Sequence, residues 1–337
     1  MAMGKSDSNT VHAADPEVAA LAESVSRVQR QCHDILQQLK AVTEELAALK
    51  GRDEELRVIL ERNTELEPHL ERLDKTVGKG TTVRHVTQAI SGAELHLDPC
   101  PYIVIDNLLP GRVYETLLRG IPPVELFANK PAGKQHMDVP FSLAPTYSQR
   151  AWAYMANELV PDTIAPRLTD KFRTVIDEWI TSNWPDVPPS SVKLHGSGGR
   201  IMYRRRGYRI RPHRDPKWSF ITCILYLARP GDNEAFGTQL YAVEGDREAD
   251  TAAPFWIDDK QCRLVRDVEN TPNRLLVFLN SVGAHGASIP ADAEPADLER
   301  YIYQFRVGPT LDSVAMLKSR LPEARRRLWA GKSLVDY

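Results

Sequence analysis

The sequence predicts a mainly β domain with flanking helices, a jelly roll or related double sheet, preceded by an N-terminal α-helical coiled coil. Three observations lead to this α+β fold class. Short strand-like segments follow one another from about residue 199, apolar residues recur in heptads before residue 50, and all 25 aromatic residues lie beyond residue 80. Eighty residues without Phe, Trp or Tyr cannot build an ordinary globular core. We therefore expect two structurally different parts.

Residues 16–75 are predicted to form the coiled coil, after a disordered tail at 1–15. The apolar positions alternate steps of three and four residues, which winds helices around a partner. They are Val18, Leu21, Val25, Val28, Cys32, Ile35, Leu39, Val42, Leu46 and Leu49. This seam is narrower than the stripe of a helix packed on its own domain. We expect self-association as a dimer or trimer; a helix packed back on its own domain and a different partner protein remain the alternatives.

Composition and charge exclude several classes of protein. The 43 basic and 45 acidic side chains nearly cancel to a net charge of −2, which gives no support for a nucleic-acid or membrane-surface protein. No apolar run approaches the ~18 residues of a membrane span, and the N-terminus lacks the apolar core of a secretory signal. The four cysteines lie far apart, which disfavours a disulfide framework or structural zinc site. We expect a cytoplasmic protein.

A linker is expected at 76–98, a catalytic domain at 99–310 and a C-terminal helix at 311–337. Residues 101–109 predict a strand, and helices are predicted at 111–120, 147–160 and 164–183. Eight strands should follow, because short apolar segments are separated by Gly and Pro. They are predicted at 199–205, 207–213, 218–228, 237–243, 253–257, 262–267, 274–280 and 300–307. This number of short strands favours a jelly roll.

Histidine and acid spacing indicates a metal site. A His and an acid two residues apart on a strand face the same way and can reach one metal. Four such pairs occur where about one is expected by chance, and they are His69–Glu71, His96–Asp98, His136–Asp138 and His213–Asp215. Only the last pair ends a strand within the strand-rich region, and His285, after the strand LLVFLN, offers a third ligand. Two His and one carboxylate form the facial triad of non-haem Fe(II) oxygenases. The alternative is a surface His pair with a structural His285.

Four segments in this order resemble a 2-oxoglutarate/Fe(II)-dependent dioxygenase of the prolyl 4-hydroxylase-like group. They are MYRRRGYRIRPHRDPKWSFITCILYL, FGTQLYAV, NRLLVFLNSVGAHGAS and RYIYQFR, and PYIVIDNLLP resembles the strand and turn that open that domain. The likeness covers roughly 99–308. It implies a double-stranded β-helix of the jelly-roll or cupin type, with Fe(II) held by His213, Asp215 and His285. It also implies O2 and 2-oxoglutarate as cosubstrates, with ascorbate as a candidate reductant.

The resemblance also implies residues that hold 2-oxoglutarate. Its far carboxylate needs a basic partner on a late strand, and Arg300 matches that position, with Arg306 in reserve. Arg300 lies 15 residues after His285, so PADAEPAD would be a loop insertion. Tyr203 resembles the cosubstrate-contacting tyrosine of the group, although one extra residue separates it from Gly207.

A cluster of cations surrounds the first two candidate ligands. Residues 200–217 hold eight basic side chains and one acid, Asp215. Strand alternation would place Arg209 and Arg211 on the face of His213 and Asp215, where they would favour an anionic substrate such as a sugar derivative, an acidic peptide or a nucleic acid. The alternative is a solvated strand face whose cations pair with nearby acids.

The leading hypothesis is a hydroxylase that oxidises a C–H bond while 2-oxoglutarate is converted to succinate and CO2. The oligomerising segment suggests a large or tethered substrate, such as a saccharide, a protein or a carrier-bound intermediate. Two alternatives stay open. Arg300 and Arg306 have the spacing of the paired arginines in AlkB-type nucleic-acid demethylases, although Ile302 and Gln304 replace the Asn and Thr of that subgroup. A coiled-coil scaffold with an inactive barrel is the other.

Overall fold

The computed structural model describes residues 16–78, 80–127, 136–138, 141–216, 219–246 and 255–328. The chain divides into two compact units, with the boundary between Arg57 and Val58. The first unit holds most of helix α1 (Pro16–Leu66), which ends two residues before Pro68. A 3-10 turn, Glu67–His69, follows. Pro68 lies inside that turn, as expected of a residue that cannot continue an α-helix.

Helices precede and follow the strands of the second unit. They are α2 (Leu70–Thr76), α3 (Gly80–Gly92), α4 (Gly111–Arg119), α5 (Thr146–Tyr154), α6 (Ala165–Lys171), α7 (Arg173–Asn183), α8 (Leu311–Ser319) and α9 (Glu323–Leu328). A π-helical segment, Met155–Ile164, joins α5 to α6 and contains Pro161. Its wider turn accommodates a residue that has no backbone N–H to donate. The two helices expected at 147–160 and 164–183 are therefore joined by helical backbone.

The segment expected as a linker at 76–98 differs from that expectation, because helix α3 occupies its middle. Thr82, Val86 and Ile90 follow one another at four-residue spacing and are buried. This spacing places them on one helical face, which packs into the main core. The sequence pattern did not predict this helix, because one of its three buried positions is a threonine and the apolar periodicity is therefore weak.

Strands make up two sheets. They are β1 (Tyr102–Ile105), β2 (His136–Asp138), β3 (Leu194–Gly196), β4 (Arg200–Arg205), β5 (Arg209–Arg214), β6 (Ile221–Tyr226), β7 (Thr238–Val243), β8 (Phe255–Trp256), β9 (Cys262–Val268), β10 (Leu275–Leu279), β11 (Ala284–Ser288) and β12 (Glu299–Pro309). Within the described residues, a seven-stranded sheet has the order β1-β10-β6-β12-β4-β2, with β3 also on β12, and a five-stranded sheet has the order β8-β5-β11-β7-β9.

The pairings between these strands are antiparallel, and strand alternation gives the larger sheet two apolar faces. On β12, Tyr303 and Phe305 face the helices, where Tyr303 packs against Trp152 with ring centroids 5.1 Å apart. Ile302 faces the other way and joins a cluster that includes Leu240 of the smaller sheet. The second face therefore lies toward the smaller sheet, and the space between the sheets is called the interior below.

All nine predicted strands overlap observed ones, but β2, β3 and β11 were not predicted. The sequence of β11, AHGAS, has few β-branched or aromatic residues and so gives no strand signal. His285 therefore lies inside β11, the strand that follows LLVFLN. The arrangement of helices with two antiparallel sheets is compatible with the predicted jelly-roll fold.

Candidate metal centre

The structure brings together His213, Asp215 and His285 in the interior. Strand β5 carries His213 and pairs with β11 so that His213 lies opposite His285. Asp215 follows immediately after β5. One ligand atom from each side chain lies within 4.8 Å of the others, and this is the metal-compatible cluster found among the described residues. The ring centroids of the two histidines are 4.2 Å apart, and His213 Nε2 is 3.8 Å from Asp215 Oδ1. All three side chains are buried.

Hydrogen bonds orient two of these side chains. His213 Nδ1 lies 2.9 Å from the carbonyl oxygen of Arg211. Because a carbonyl only accepts, Nδ1 carries the proton and Nε2 keeps its lone pair toward Asp215. Thr222 Oγ1 donates to Asp215 Oδ2 at 2.6 Å and accepts from Asn280 Nδ2 at 2.9 Å. Such outer partners are what fixes metal ligands in place.

The pKa values of the three groups keep them in their ligand forms. Burial lowers the pKa of His213 and lowers the pKa of His285 well below its usual range, which keeps both rings neutral. Burial alone would raise the pKa of Asp215, but opposing causes led by the Arg306 guanidinium outweigh it and lower that pKa. Metals bind neutral imidazole and ionised carboxylate. The cluster can therefore hold a divalent metal with positions left open for other ligands.

Two arginines expected to hold 2-oxoglutarate occupy different parts of the interior. Arg306 lies at the metal-ligand end, with Nη2 3.2 Å from Asp215 Oδ1. Arg300 lies six residues earlier on β12, buried, and donates to the carbonyl oxygens of Phe236 and Asn233. Its Nε has no hydrogen-bond partner in the described part of the chain. Arg306 is thus engaged with Asp215, whereas the hydrogen bonds of Arg300 go to backbone carbonyl oxygens.

Arg204 is an interior cation that the sequence did not single out from the surrounding arginine run. It pairs with Arg300 across β4 and β12, is buried and lies over the Tyr208 ring at 4.7 Å. Burial and then the Arg204 charge lower the pKa of Arg300 to about 10. Strand alternation could have identified Arg204 in the sequence. Arg204 and exposed Arg205 face opposite sides of β4, and Arg204 lies on the side of Arg300.

Unsatisfied polar atoms collect around this pair. Arg204 Nε is buried and lacks a hydrogen-bond partner among the described residues, as Arg300 Nε does. The hydroxyls of Tyr226 and Thr238 lie beside each other close to the two arginines. Burial raises the pKa of Tyr226 to about 12, so its hydroxyl stays protonated. Buried polar groups are normally paired, and each exception needs an explanation. Two like charges with unused donors have the chemistry that suits a bound anion.

Tyr203 does not face the two buried arginines. It lies on the face of β4 opposite Arg204, where its ring packs against Tyr301 and Phe127 at 5.2 and 6.0 Å. Its hydroxyl lies 3.3 Å from Glu299 Oε1. The position of Tyr203 therefore differs from the one expected for a contact with the cosubstrate. The extra residue before Gly207 explains the difference, because a shift of one residue on a strand moves a side chain to the other face.

Arg209 and Arg211 do not extend the interior face of His213. A bulge breaks the alternation, since His213 opposes His285 but Ile210 opposes Ala287. Arg209 is exposed and pairs with Asp259 at 2.7 Å. Arg211 is also exposed, with its guanidinium 5.5 Å from the ring centroid of Trp256. Trp256 is 48% exposed, and its ring lies 5.0 Å from that of His213. Arg211 thus lies near the metal cluster, outside the interior.

Helices in the described part of the chain are too short or too polar to cross a lipid bilayer. No protein-family model and no curated protein matches this sequence. The chain resembles several solved structures, among them prolyl 4-hydroxylases of Pseudomonas putida and Phytophthora capsici, and HygX of Streptomyces hygroscopicus with nickel and 2-oxoglutarate bound. In that order, the identities are 14%, 16% and 13%, and the TM-scores are 0.32, 0.38 and 0.38. The matches cover 68%, 74% and 62% of this chain, and 99%, 78% and 83% of the other chains.

Proposed function

We propose that this protein is an Fe(II)- and 2-oxoglutarate-dependent oxygenase that hydroxylates a C–H bond of its substrate. One observation carries the proposal: a buried two-His, one-carboxylate cluster shares its interior with a pair of arginines that have unused hydrogen-bond donors. The cluster suits a metal with open positions, and the arginines suit a dicarboxylate bound beside it. No other group of described residues combines these two properties.

His213, Asp215 and His285 would hold the iron. His213 Nδ1 is already occupied by a backbone carbonyl, which leaves Nε2 for the metal. The second oxygen of Asp215 is held by Thr222, which favours binding through the oxygen nearest His213. Arg306 balances the charge of Asp215. With its ligands bound, the centre would supply oxidation by O2, converting 2-oxoglutarate to succinate and CO2 and adding hydroxyl to the substrate, with ascorbate keeping the iron reduced.

Arg300 and Arg204 would bind the far carboxylate of 2-oxoglutarate. Both lie in the interior, and an anion between them would relieve the repulsion that lowers the pKa of Arg300. Tyr226 Oη and Thr238 Oγ1 offer further hydrogen bonds. Apolar side chains of the interior, including Ile224 and Leu240, would keep water from this carboxylate. These residues bind and orient the cosubstrate, and none of them needs to transfer a proton.

The substrate is proposed to be anionic. Support comes from Arg211 and Trp256, which are exposed beside His213 and so lie where a substrate can approach the centre. Cation and aromatic ring together favour a negatively charged group with a flat or apolar neighbour. A test compares matched substrates with and without a phosphate or carboxylate in the wild type and in Arg211→Gln. Equal turnover of both members of each pair would contradict the anionic preference.

Binding and turnover together test the proposed activity. Under anaerobic conditions, Fe(II) and 2-oxoglutarate added together should give a visible charge-transfer absorption that neither gives alone. In air, with ascorbate and a substrate panel, succinate should form and a product should gain one oxygen by mass spectrometry. His213→Ala and Asp215→Ala should lose all three signals, whereas His195→Ala, a half-buried histidine outside the cluster, should keep them. Full activity in His213→Ala would refute the assigned centre.

The finer features of the N-terminal part also remain proposals. Leu66 and Leu73, at the end of the predicted 16–75 coiled coil, are buried in the core of the second unit. We therefore propose that the heptad segment 18–49 mediates self-association and that the protein works in the cytoplasm on a large or tethered substrate. The support is the heptad seam of α1, whose described side chains are exposed in the single chain. Light scattering of the full chain tests self-association, and a comparison of free and carrier-bound forms of an identified substrate tests the tether.

A further inference from the structure

Helix α1 exposes a continuous apolar seam in its described part. The side chains of Val25, Val28, Ile35, Leu39, Val42 and Leu46 are between 48% and 61% exposed. These residues follow the three-four spacing of heptad positions a and d, so they lie along one side of the helix. Isolated exposed apolar residues are ordinary, but a continuous row of them indicates a surface that another molecule covers.

The heptad assignment also fixes the flanking positions. With Val25, Cys32, Leu39 and Leu46 at position a, Glu45 lies at position g and Lys50 at position e of the next heptad. Both charged residues are exposed. In parallel, in-register coiled coils, a g residue of one helix meets the following e residue of its partner. That pairing joins Glu45 to the partner's Lys50, and symmetry repeats the attraction on the other side.

An antiparallel arrangement loses this complementarity, because g residues then face g residues and e residues face e residues. The described g positions are Ser24, Gln31, Gln38 and Glu45, and the described e positions are Gln29, Leu36, Thr43 and Lys50. Neither set contains opposite charges that could attract each other. Complementary charge therefore selects the parallel orientation. Asp53 occupies the next a position and limits the seam, because a parallel partner would place a second carboxylate opposite it.

We propose that the segment from Val18 to Lys50 pairs with the same segment of a second copy of this chain, in parallel and in register. This inference rests on the proposed self-association and is independent of the proposed activity. It has one geometric consequence. Cys32 occupies an a position and is exposed, so the two copies of Cys32 must face each other across the seam.

Oxidative cross-linking of the full chain tests this arrangement. In reducing buffer, light scattering should give twice the mass of one chain. After mild oxidation, the wild type should run at twice the chain mass on a non-reducing gel, and Cys32→Ser should run as a single chain. The remaining cysteines are buried or partly buried. A matched control moves the thiol to an outer position: Cys32→Ser/Gln37→Cys should form the dimer in solution without cross-linking.

Two further variants separate the possible failures. Ile35→Cys on the Cys32→Ser background places the thiol at a d position and should cross-link even if Cys32 itself reacts slowly. Leu39→Asp should shift the light-scattering mass to one chain, whereas Gln37→Asp should not. A wild type that is monomeric or trimeric overturns the proposal. A dimer in which neither Cys32 nor Ile35→Cys cross-links overturns the parallel register. Metal and 2-oxoglutarate binding by the monomeric Leu39→Asp variant would show that ligand binding does not depend on self-association.

Discussion

Arg306 Nη2 lies 3.2 Å from Asp215 Oδ1, and both side chains are buried. The guanidinium is a major cause of the lowered pKa of Asp215, so the carboxylate is ionised before any metal binds. Without a compensating cation, a buried carboxylate would tend to take up a proton. Arg306 therefore keeps Asp215 in the ionised form that binds a metal. Arg300 lies in a different part of the interior.

Arg306→Met should destabilise the metal-free protein, since it removes one partner of a buried ion pair. Breaking such a pair typically costs about 3–5 kcal/mol. Chemical unfolding measures this loss. A divalent metal should add less stability to Arg306→Met than to the wild type, because it must first displace the proton that Asp215 takes up without the guanidinium. Arg306→Lys keeps the charge and should show a smaller loss. Equal metal-induced stabilisation in wild type and Arg306→Met would contradict this role.

Thr222→Val should weaken metal binding with little change in packing. The substitution removes the hydroxyl that donates to Asp215 Oδ2 at 2.6 Å but keeps the side-chain shape. Loss of an outer hydrogen bond to a ligand typically lowers metal affinity ~10- to 100-fold. Calorimetry with Mn²⁺, which resists oxidation, measures the change. Thr116→Val is the control, because the Thr116 hydroxyl donates to the Arg112 carbonyl oxygen within helix α4, away from the cluster. An unchanged affinity in Thr222→Val would show that the hydroxyl does not orient the carboxylate.

Arg204→Met should change stability and cosubstrate binding in opposite directions. Removal of one of two neighbouring buried cations relieves the repulsion on Arg300, so the thermal midpoint of the ligand-free protein should rise. Affinity for 2-oxoglutarate should fall by roughly 10- to 100-fold, the usual worth of a hydrogen bond to a charged group. Calorimetry with the Mn²⁺-loaded protein measures the affinity. The neighbouring exposed Arg205→Met should leave both quantities unchanged. Reduced stability with unchanged affinity would make Arg204 a structural residue.

The proximity of the three candidate ligands could be predicted from the sequence, because it follows from regular strand geometry. His213 and Asp215 follow two-residue alternation, and His285 meets them because β11 pairs with β5. Prediction from the sequence failed where that geometry is interrupted. The bulge between Ile210 and His213 turns Arg209 outward, and bulges leave no reliable signal in a single sequence.

Pairing across strands was the other missing information. Tyr203 and Arg204 are neighbours in sequence but lie on opposite faces of β4, and only the register with β12 shows that Arg204 shares a face with Arg300. Helix α3 shows the same difficulty at the level of packing. Its buried face includes Thr82, so hydrophobic periodicity alone was too weak to distinguish a helix from a linker.

Gly283→Ala should disturb the metal centre from two residues away. Gly283 has φ of +70°, and an added Cβ would lie 2.9 Å from the carbonyl oxygen of Tyr241. Its N–H donates to Asp246 Oδ2 at 2.7 Å, and its carbonyl accepts from Arg214, which also pairs with Asp246 at 2.5 Å. These contacts fix the start of β11 and thereby the position of His285. We expect lower stability and weaker Mn²⁺ binding.

Gly245→Ala separates backbone strain from this positional effect. Gly245 has φ of +62°, but nothing lies within 4 Å of a Cβ added there. Both alanine variants should lose roughly 1–3 kcal/mol of unfolding free energy, because an L-residue in the left-handed region is strained. Only Gly283→Ala should also lose metal affinity, since only its added Cβ pushes on the strand that carries His285. Equal Mn²⁺ affinities in the two variants would show that β11 absorbs the displacement before it reaches the ligand.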